Sequence, residues 1–166
     1  PPELTGTFAN DIVQDQISSS NPYAPLAVAS LAEAAGIYHT TPKIVYVPSS
    51  SRLDSFNAIF ANTVCLFEER PSGNQENNPA FGYSKNVVNS EKMLEKVLED
   101  LDHRIDAKAY ARARMFDMLI GDWDRHEDQW LWASFKKDGK TIYKPIPRDR
   151  DQAFAKLDGF IPTLAT

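Results

Sequence analysis

Apolar residues recur at helical spacing in four stretches and as short β-type runs in four others, an alternation that predicts an α+β fold. Phe8, Ile12, Val13 and Ile17 share one helical face, and Ser18-Ser19-Ser20-Asn21-Pro22 interrupts that pattern. A second helix is predicted over 25–35, with Leu26, Ala27, Ala29, Leu31 and Ala34 apolar and Gly36 as its C-terminal cap. Ile44-Val45-Tyr46-Val47, between Pro42 and Pro48, has the β-branched and aromatic content of a strand. So does 63–67, with a short helix before it and Glu68-Glu69-Arg70-Pro71 after it. Residues 71–89 are polar and rich in Asn, Pro, Gly and Ser, as expected of a linker or surface loop. Ser90 is placed to cap a helix whose buried stripe would be Met93, Leu94, Val97, Leu98 and Leu101. Asp106 is placed to cap the next, where Ala109, Ala113, Phe116 and Ile120 recur and Gly121 ends the run. Residues 130–135 and 141–146 flank Asp138-Gly139, a hairpin-turn dipeptide.

The chain of 166 residues is long enough for one domain with a real core, and its 42% apolar and 25% charged residues fit a soluble globular protein. A net charge of −5 argues against a broad nucleic-acid surface, so no nucleic-acid partner is expected. Cys65 is the single cysteine, which excludes an internal disulfide; within Val64-Cys65-Leu66-Phe67 it reads as a core thiol. No apolar run approaches the ~20 residues of a membrane-spanning helix. The three tryptophans, Trp123, Trp130 and Trp132, read as packing residues, and His39 and His103 as surface or capping residues.

Two polar clusters carry the chemistry. The first is Gly121-Asp122-Trp123-Asp124-Arg125-His126-Glu127-Asp128-Gln129, before the predicted hairpin; the second is Pro147-Arg148-Asp149-Arg150-Asp151, directly after it. A hairpin brings its two ends together, so Asp124 and Asp149 should lie near one mouth. An acidic loop before a strand is often only a solvated turn, and the second cluster at the matching offset weighs against that. Phosphoryl transfer needs hard oxygen ligands for a divalent metal and a carboxylate to orient or deprotonate the attacking hydroxyl. These clusters contain both. Asp122 and Asp128 read as bracing or exposed residues, and Asp151 either as a second metal ligand or as a solvated neighbour of Arg148 and Arg150.

Asp124-Arg125-His126 followed by Gln129 resembles the catalytic loop of the phosphatidylinositol 3- and 4-kinases, where an Asn stands at the offset of Gln129. It is also similar to the Golgi secretory-pathway kinases and, more loosely, to HipA-type toxins and spore-coat kinases. Asp149, five residues before Phe154, is similar to the metal-binding Asp of those families. The resemblance implies a protein kinase-like two-lobed fold from an atypical, bacterial branch, incomplete at both ends. Residues 1–70 would be a partial small lobe, 71–89 an inter-lobe linker or loop, and 90–166 a partial large lobe. It further implies Asp124 as catalytic base, Arg125 and His126 as its brace, and Gln129, Asp149 and Asp151 as ligands of Mg²⁺ or Mn²⁺. Glu68 and Glu69 would lie at the hinge that contacts the adenine of ATP, and an unidentified phosphate acceptor would be the second substrate.

The family pattern is not met everywhere. The seven glycines are scattered, so no nucleotide-covering loop is present, and the earliest lysine, Lys43, follows the first helices. Both parts would have to precede Pro1, which makes the chain a fragment expected to transfer phosphate poorly on its own. Pro25 falls where the αC acid belongs; Asp15 is the favoured substitute and Glu33 the alternative. Two other functions remain open on the sequence. One is a pseudokinase or nucleotide-binding regulatory module. The other is metal-assisted hydrolysis, for which His126 is the single nearby imidazole.

Overall fold

A computed structural model describes residues 20–155, and the predicted first helix and Asp15 lie outside them. The elements run α1 (Ala24–Ala34), β1 (Lys43–Val47), α2 (Asn57–Phe60), β2 (Thr63–Phe67), β3 (Asn86–Asn89), α3 (Ser90–Glu99), β4 (His103–Ile105), α4 (Ala107–Leu119), β5 (Trp130–Lys137) and β6 (Lys140–Pro147). The architecture is α+β, with two sheets. β1 and β2 form an antiparallel ribbon, and the remaining strands form a sheet of order β3-β5-β6-β4 in which only the β4–β6 pair is parallel.

The long hairpin β5–β6 is the centre of the larger sheet. Asp138 and Gly139 both have positive φ, the geometry of a two-residue I′ turn whose twist matches the flanking strands. Trp130 to Ala133 are all buried because the sheet is covered on both faces. Trp130 and Trp132 join Ala24, Val28, Ala32, Met93, Ala113 and Phe116 on one face. Leu131 and Ala133 point the other way, as strand alternation requires, and pack with Phe81, Val87 and Ile146. The first cluster joins α1 to α3 and α4.

Three expectations are corrected. Residues 71–89 are not simply a linker: Val87 buries its side chain in β3, which pairs with β5, and Phe81 is 1% exposed beneath the sheet. In α3 the buried stripe narrows to Met93 and the half-buried Val97, one turn apart, while Leu98 is 84% exposed and Leu101, beyond the helix, 86%. Leu94 and Leu98 lie about 100° around the helix from that pair, which turns them off the sheet. The α3 cap is Asn89, whose side chain accepts from Lys92 N at 3.0 Å. Ser90 instead bridges elements: its Oγ donates to Glu127 O at 2.8 Å and accepts from Trp132 Nε1 at 3.1 Å.

Asp106 caps α4, accepting from Ala109 N at 2.9 Å, and Gly121 follows that helix with φ +67°. Trp130 and Trp132 are buried, whereas Trp123 is 59% exposed. Cys65 is half-buried on the inner side of the β1–β2 ribbon. On its other side Ile44, Tyr46, Val64 and Leu66 are all exposed. His39 Nδ1 lies 3.0 Å from Ile37 O, and His103 Nδ1 lies 2.9 Å from Tyr143 Oη.

Gly82 adopts φ +64° under the Tyr38 ring, and a Cβ placed there would stand 2.6 Å from Tyr38 Cζ. Tyr38 is also held against Phe135, so the ring has little room to retreat. Gly82→Ala should therefore destabilise the fold by about 1–3 kcal/mol, combining left-handed backbone strain with overpacking. Thermal denaturation should show this as a lower Tm, and an unchanged Tm would mean that Tyr38 is not seated on Gly82.

Candidate functional site

The hairpin places the two polar clusters side by side. Trp130 pairs with Pro147 at its open end, and Arg148 N donates to Gln129 O at 2.9 Å, one step beyond the ladder. The 121–129 loop and the 148–151 segment thus form a single surface.

Beneath that surface lies a buried ion network. Asp117, from the last turn of α4, accepts from Arg114 Nη1 at 2.8 Å, from Arg125 Nε at 3.2 Å and from Arg150 Nη1. Asp122 accepts from Arg150 Nη1 at 2.7 Å and from Arg125 Nη2. Asp117, Asp122 and the Arg125 side chain are at most 1% exposed as side chains, and Arg150 is 8% exposed. Two carboxylates face two buried guanidiniums, so the interior charge balances, and Arg114 adds a partly exposed third cation. The arginines also lie over aromatic faces, Arg125 on Trp130 at 5.4 Å and Arg150 on Phe116 at 5.5 Å. Among the described residues Asp122 Oδ1 has no donor, and burial is the largest reason its pKa is raised, against the lowering effect of both arginines.

Arg125 reaches furthest. Its Nη1 donates to Arg148 O and, at 3.3 Å, to Gln129 Oε1, so one guanidinium ties the first cluster to the second. Gln129 is 5% exposed, and its amide oxygen accepts that contact from Arg125. His126 is exposed and lines a cavity of about 380 Å³ walled by Met93, Tyr110, Trp130 and Trp132.

The remaining acids stay on the solvent side. Asp124 is half-buried, and Asp128, Asp149 and Asp151 are exposed. Asp149 has φ +56°, in the left-handed region that few non-glycine residues occupy. Its pKa is raised by loss of hydration, then by the Asp151 and Glu68 carboxylates, with Arg125 opposing. Glu68, just after β2, is therefore a neighbour of Asp149, and its Oε1 also accepts from Thr40 Oγ1. Glu69 is exposed and lines a different cavity with His39, Thr41 and Asn78. Among the described residues, no three His, Cys, Asp or Glu side chains are arranged to hold a metal ion.

Asp117 and Arg150 carry the network, and neither stood out in the sequence as structural. A signal existed in the alternation of 148–151: Arg150 turns inward while Asp149 and Asp151 face solvent. Arg114 three residues before Asp117 was a second.

Asp117→Ala should cost about 3–5 kcal/mol, because it leaves two buried guanidiniums with a single carboxylate; denaturant unfolding measures this, and a loss below about 1 kcal/mol would mean the network is solvated. Asp149 gives a pH signature. Its raised folded pKa supplies stability that is complete below the ordinary aspartate value of ~3.9 and is lost as pH rises through the folded value. Asp149→Asn should thus be more stable than the parent at pH 7 by up to about 1 kcal/mol, a screened surface effect. The difference should vanish on acidification below the aspartate range, and a pH-independent difference would refute the electrostatic origin.

No protein-family model, curated protein or solved structure matches this chain.

Proposed function

We propose that the chain is part of a kinase-like phosphotransferase that uses ATP with Mg²⁺ or Mn²⁺, in a two-lobed fold with the larger sheet and α4 in the large lobe. The observation that carries this reading is the pairing of the two polar clusters, which leaves Asp149 beside Asp151 and Glu68 while Asp124 stands on the adjoining loop. Carboxylate oxygens are the donors that Mg²⁺ and Mn²⁺ prefer; the Asp149 pKa is raised first by loss of hydration and then by the Asp151 and Glu68 charges, and a divalent cation relieves that second part. Mg²⁺ at nucleotide sites is commonly held by one or two carboxylates together with phosphate oxygens, so a three-residue protein cage is not required. Asp149 and Asp151 would hold the cation, whose role is to neutralise phosphate charge. Asp124 would orient the acceptor hydroxyl and take its proton. Arg125 would keep the loop in place from below.

A second reading is a nucleotide-binding regulatory module without transfer. It is favoured by Gln129, whose amide oxygen accepts from Arg125 where the kinases that the loop resembles use a metal-ligating amide.

The test is thermal unfolding of the protein with ATP or ADP and Mg²⁺ or Mn²⁺, beside Asp149→Ala and Asp124→Asn. Ligand at 100 times its dissociation constant stabilises by ~2.7 kcal/mol, or about 5–10 °C for a domain of this size. The expected result is a metal-dependent shift of that order, absent in Asp149→Ala. In Asp124→Asn the shift should persist while phosphotransfer is lost. A folded protein with no shift under any nucleotide and metal would rule out both readings.

A further inference from the structure

We propose that the chain carries an anion site, distinct from the candidate active site, that binds the phosphate group of a small phosphate monoester between the start of α4, the loop after α1 and strand β6. The cavity there holds about 260 Å³, at the small end for ligand pockets and of a size for one phosphate with little of its ester. Lys108, Arg112 and Lys144 line it, together with Gly36, Tyr38 and Asp106. None of the residues of the 121–129 loop or the 148–151 segment does. The two sites lie apart along α4: at ~1.5 Å per residue Lys108 stands about 16 Å and Arg112 about 10 Å from Leu119, the end that leads to the loop holding Asp122 and Arg125.

Charge is the first argument. Three cations, the exposed Lys108 and Arg112 and the half-buried Lys144, line one small cavity in a chain of net charge −5. No ion pair among the described residues engages Lys108, Arg112 or Lys144, whereas the buried arginines of the same protein are all paired. The single acid in the lining, Asp106, is already committed, since its Oδ1 accepts the capping hydrogen bond from Ala109 N. The lining thus presents three positive charges against one negative, and a dianion complements that excess better than a monocarboxylate does.

Shape and donor chemistry are the second. Gly36 has φ +65°, and a Cβ there would touch Arg112 Nη1 at 3.4 Å, so the bare backbone leaves room for the guanidinium at the rim. Arg112 supplies the planar pair of donors that matches two phosphate oxygens, and the lysines add point charges. Lys144 Nζ lies 5.4 Å from the Phe135 ring centre, a support that places the ammonium without neutralising it.

Inorganic phosphate and glycerol 3-phosphate, titrated at constant ionic strength and followed by amide chemical shifts and by Arg112 Nε–Hε, test the site. Saturable shifts are expected at Lys108, Ala109 and Arg112, with the ester binding at least as well as the free ion. Arg112→Gln and Lys144→Gln should each weaken binding by about tenfold, the worth of one charged hydrogen bond. Lys137→Gln, at the exposed hairpin tip, should leave it unchanged. These glutamine variants keep the aliphatic stems, and their amide spectra report whether the fold is intact. Shifts that never saturate, or equal affinity in all three variants, would overturn the proposal. So would binding that is lost with Asp149→Ala and kept in Arg112→Gln, which would put the phosphate in the candidate active site instead.

Discussion

The buried pairing of Asp117 and Asp122 with Arg125 and Arg150 is the constraint on which the rest of the site depends. Removing four charges from water is costly, and a buried ion network of this kind is rarely more stable than an apolar core of equal volume. Its effect is on geometry. Arg125 and Arg150 can both be satisfied only when the end of α4, the 121–129 loop and the segment after β6 come together, so alternative packings of these pieces would strand a charge. Trp130 and Phe116 beneath the guanidiniums add an apolar surface that fits the same arrangement.

From that anchor the exposed chemistry follows. The contacts of Arg125 with Arg148 O and Gln129 Oε1, and of Arg148 N with Gln129 O, hold two loops in register as an extension of the hairpin. Alternation then sends Arg150 inward and leaves Asp149 and Asp151 outside. Ser90 makes a comparable link on the other side, joining α3 to Glu127 and to the indole of Trp132. Loss of hydration comes first in raising the pKa of Asp149, and repulsion from the Asp151 and Glu68 carboxylates adds to it.

Charge is distributed unevenly along α4. Its C-terminal end carries Asp117 and leads to Asp122 within a neutralised cluster, while Lys108 and Arg112 in its first half line a cavity and have no ion-pair partner among the described residues. Apolar exposure is uneven too. Met115, Met118 and Leu119 on the outer side of α4 and the outer face of the β1–β2 ribbon are exposed, whereas the larger sheet is covered on both faces.

Local patterns were legible in the sequence because they depend on near neighbours. The capping role of Asp106, the Asp138-Gly139 turn, the paired strands around it and the end of α4 at Gly121 are each set by side-chain and backbone chemistry within a few residues. The closeness of the two polar clusters was legible for the same reason, since a two-residue turn leaves a hairpin little choice of register. Long-range choices were not. Nothing local marks Val87 as a sheet residue, because β3 exists only by pairing with β5 across more than forty intervening residues. Leu98 and Met93 are both apolar, and only the position of the sheet decides which is covered. Likewise Arg150 and Asp149 are adjacent charges in sequence, and only the tertiary fold buries one against Asp117 and leaves the other beside Glu68. The sequence by itself determined the main helices, the β1–β2 and β5–β6 strands and the chemical groups at the hairpin mouth; the tertiary structure decided the added strands β3 and β4, which charges pair in the interior and which stay free to act, because burial and pairing are properties of distant segments brought together.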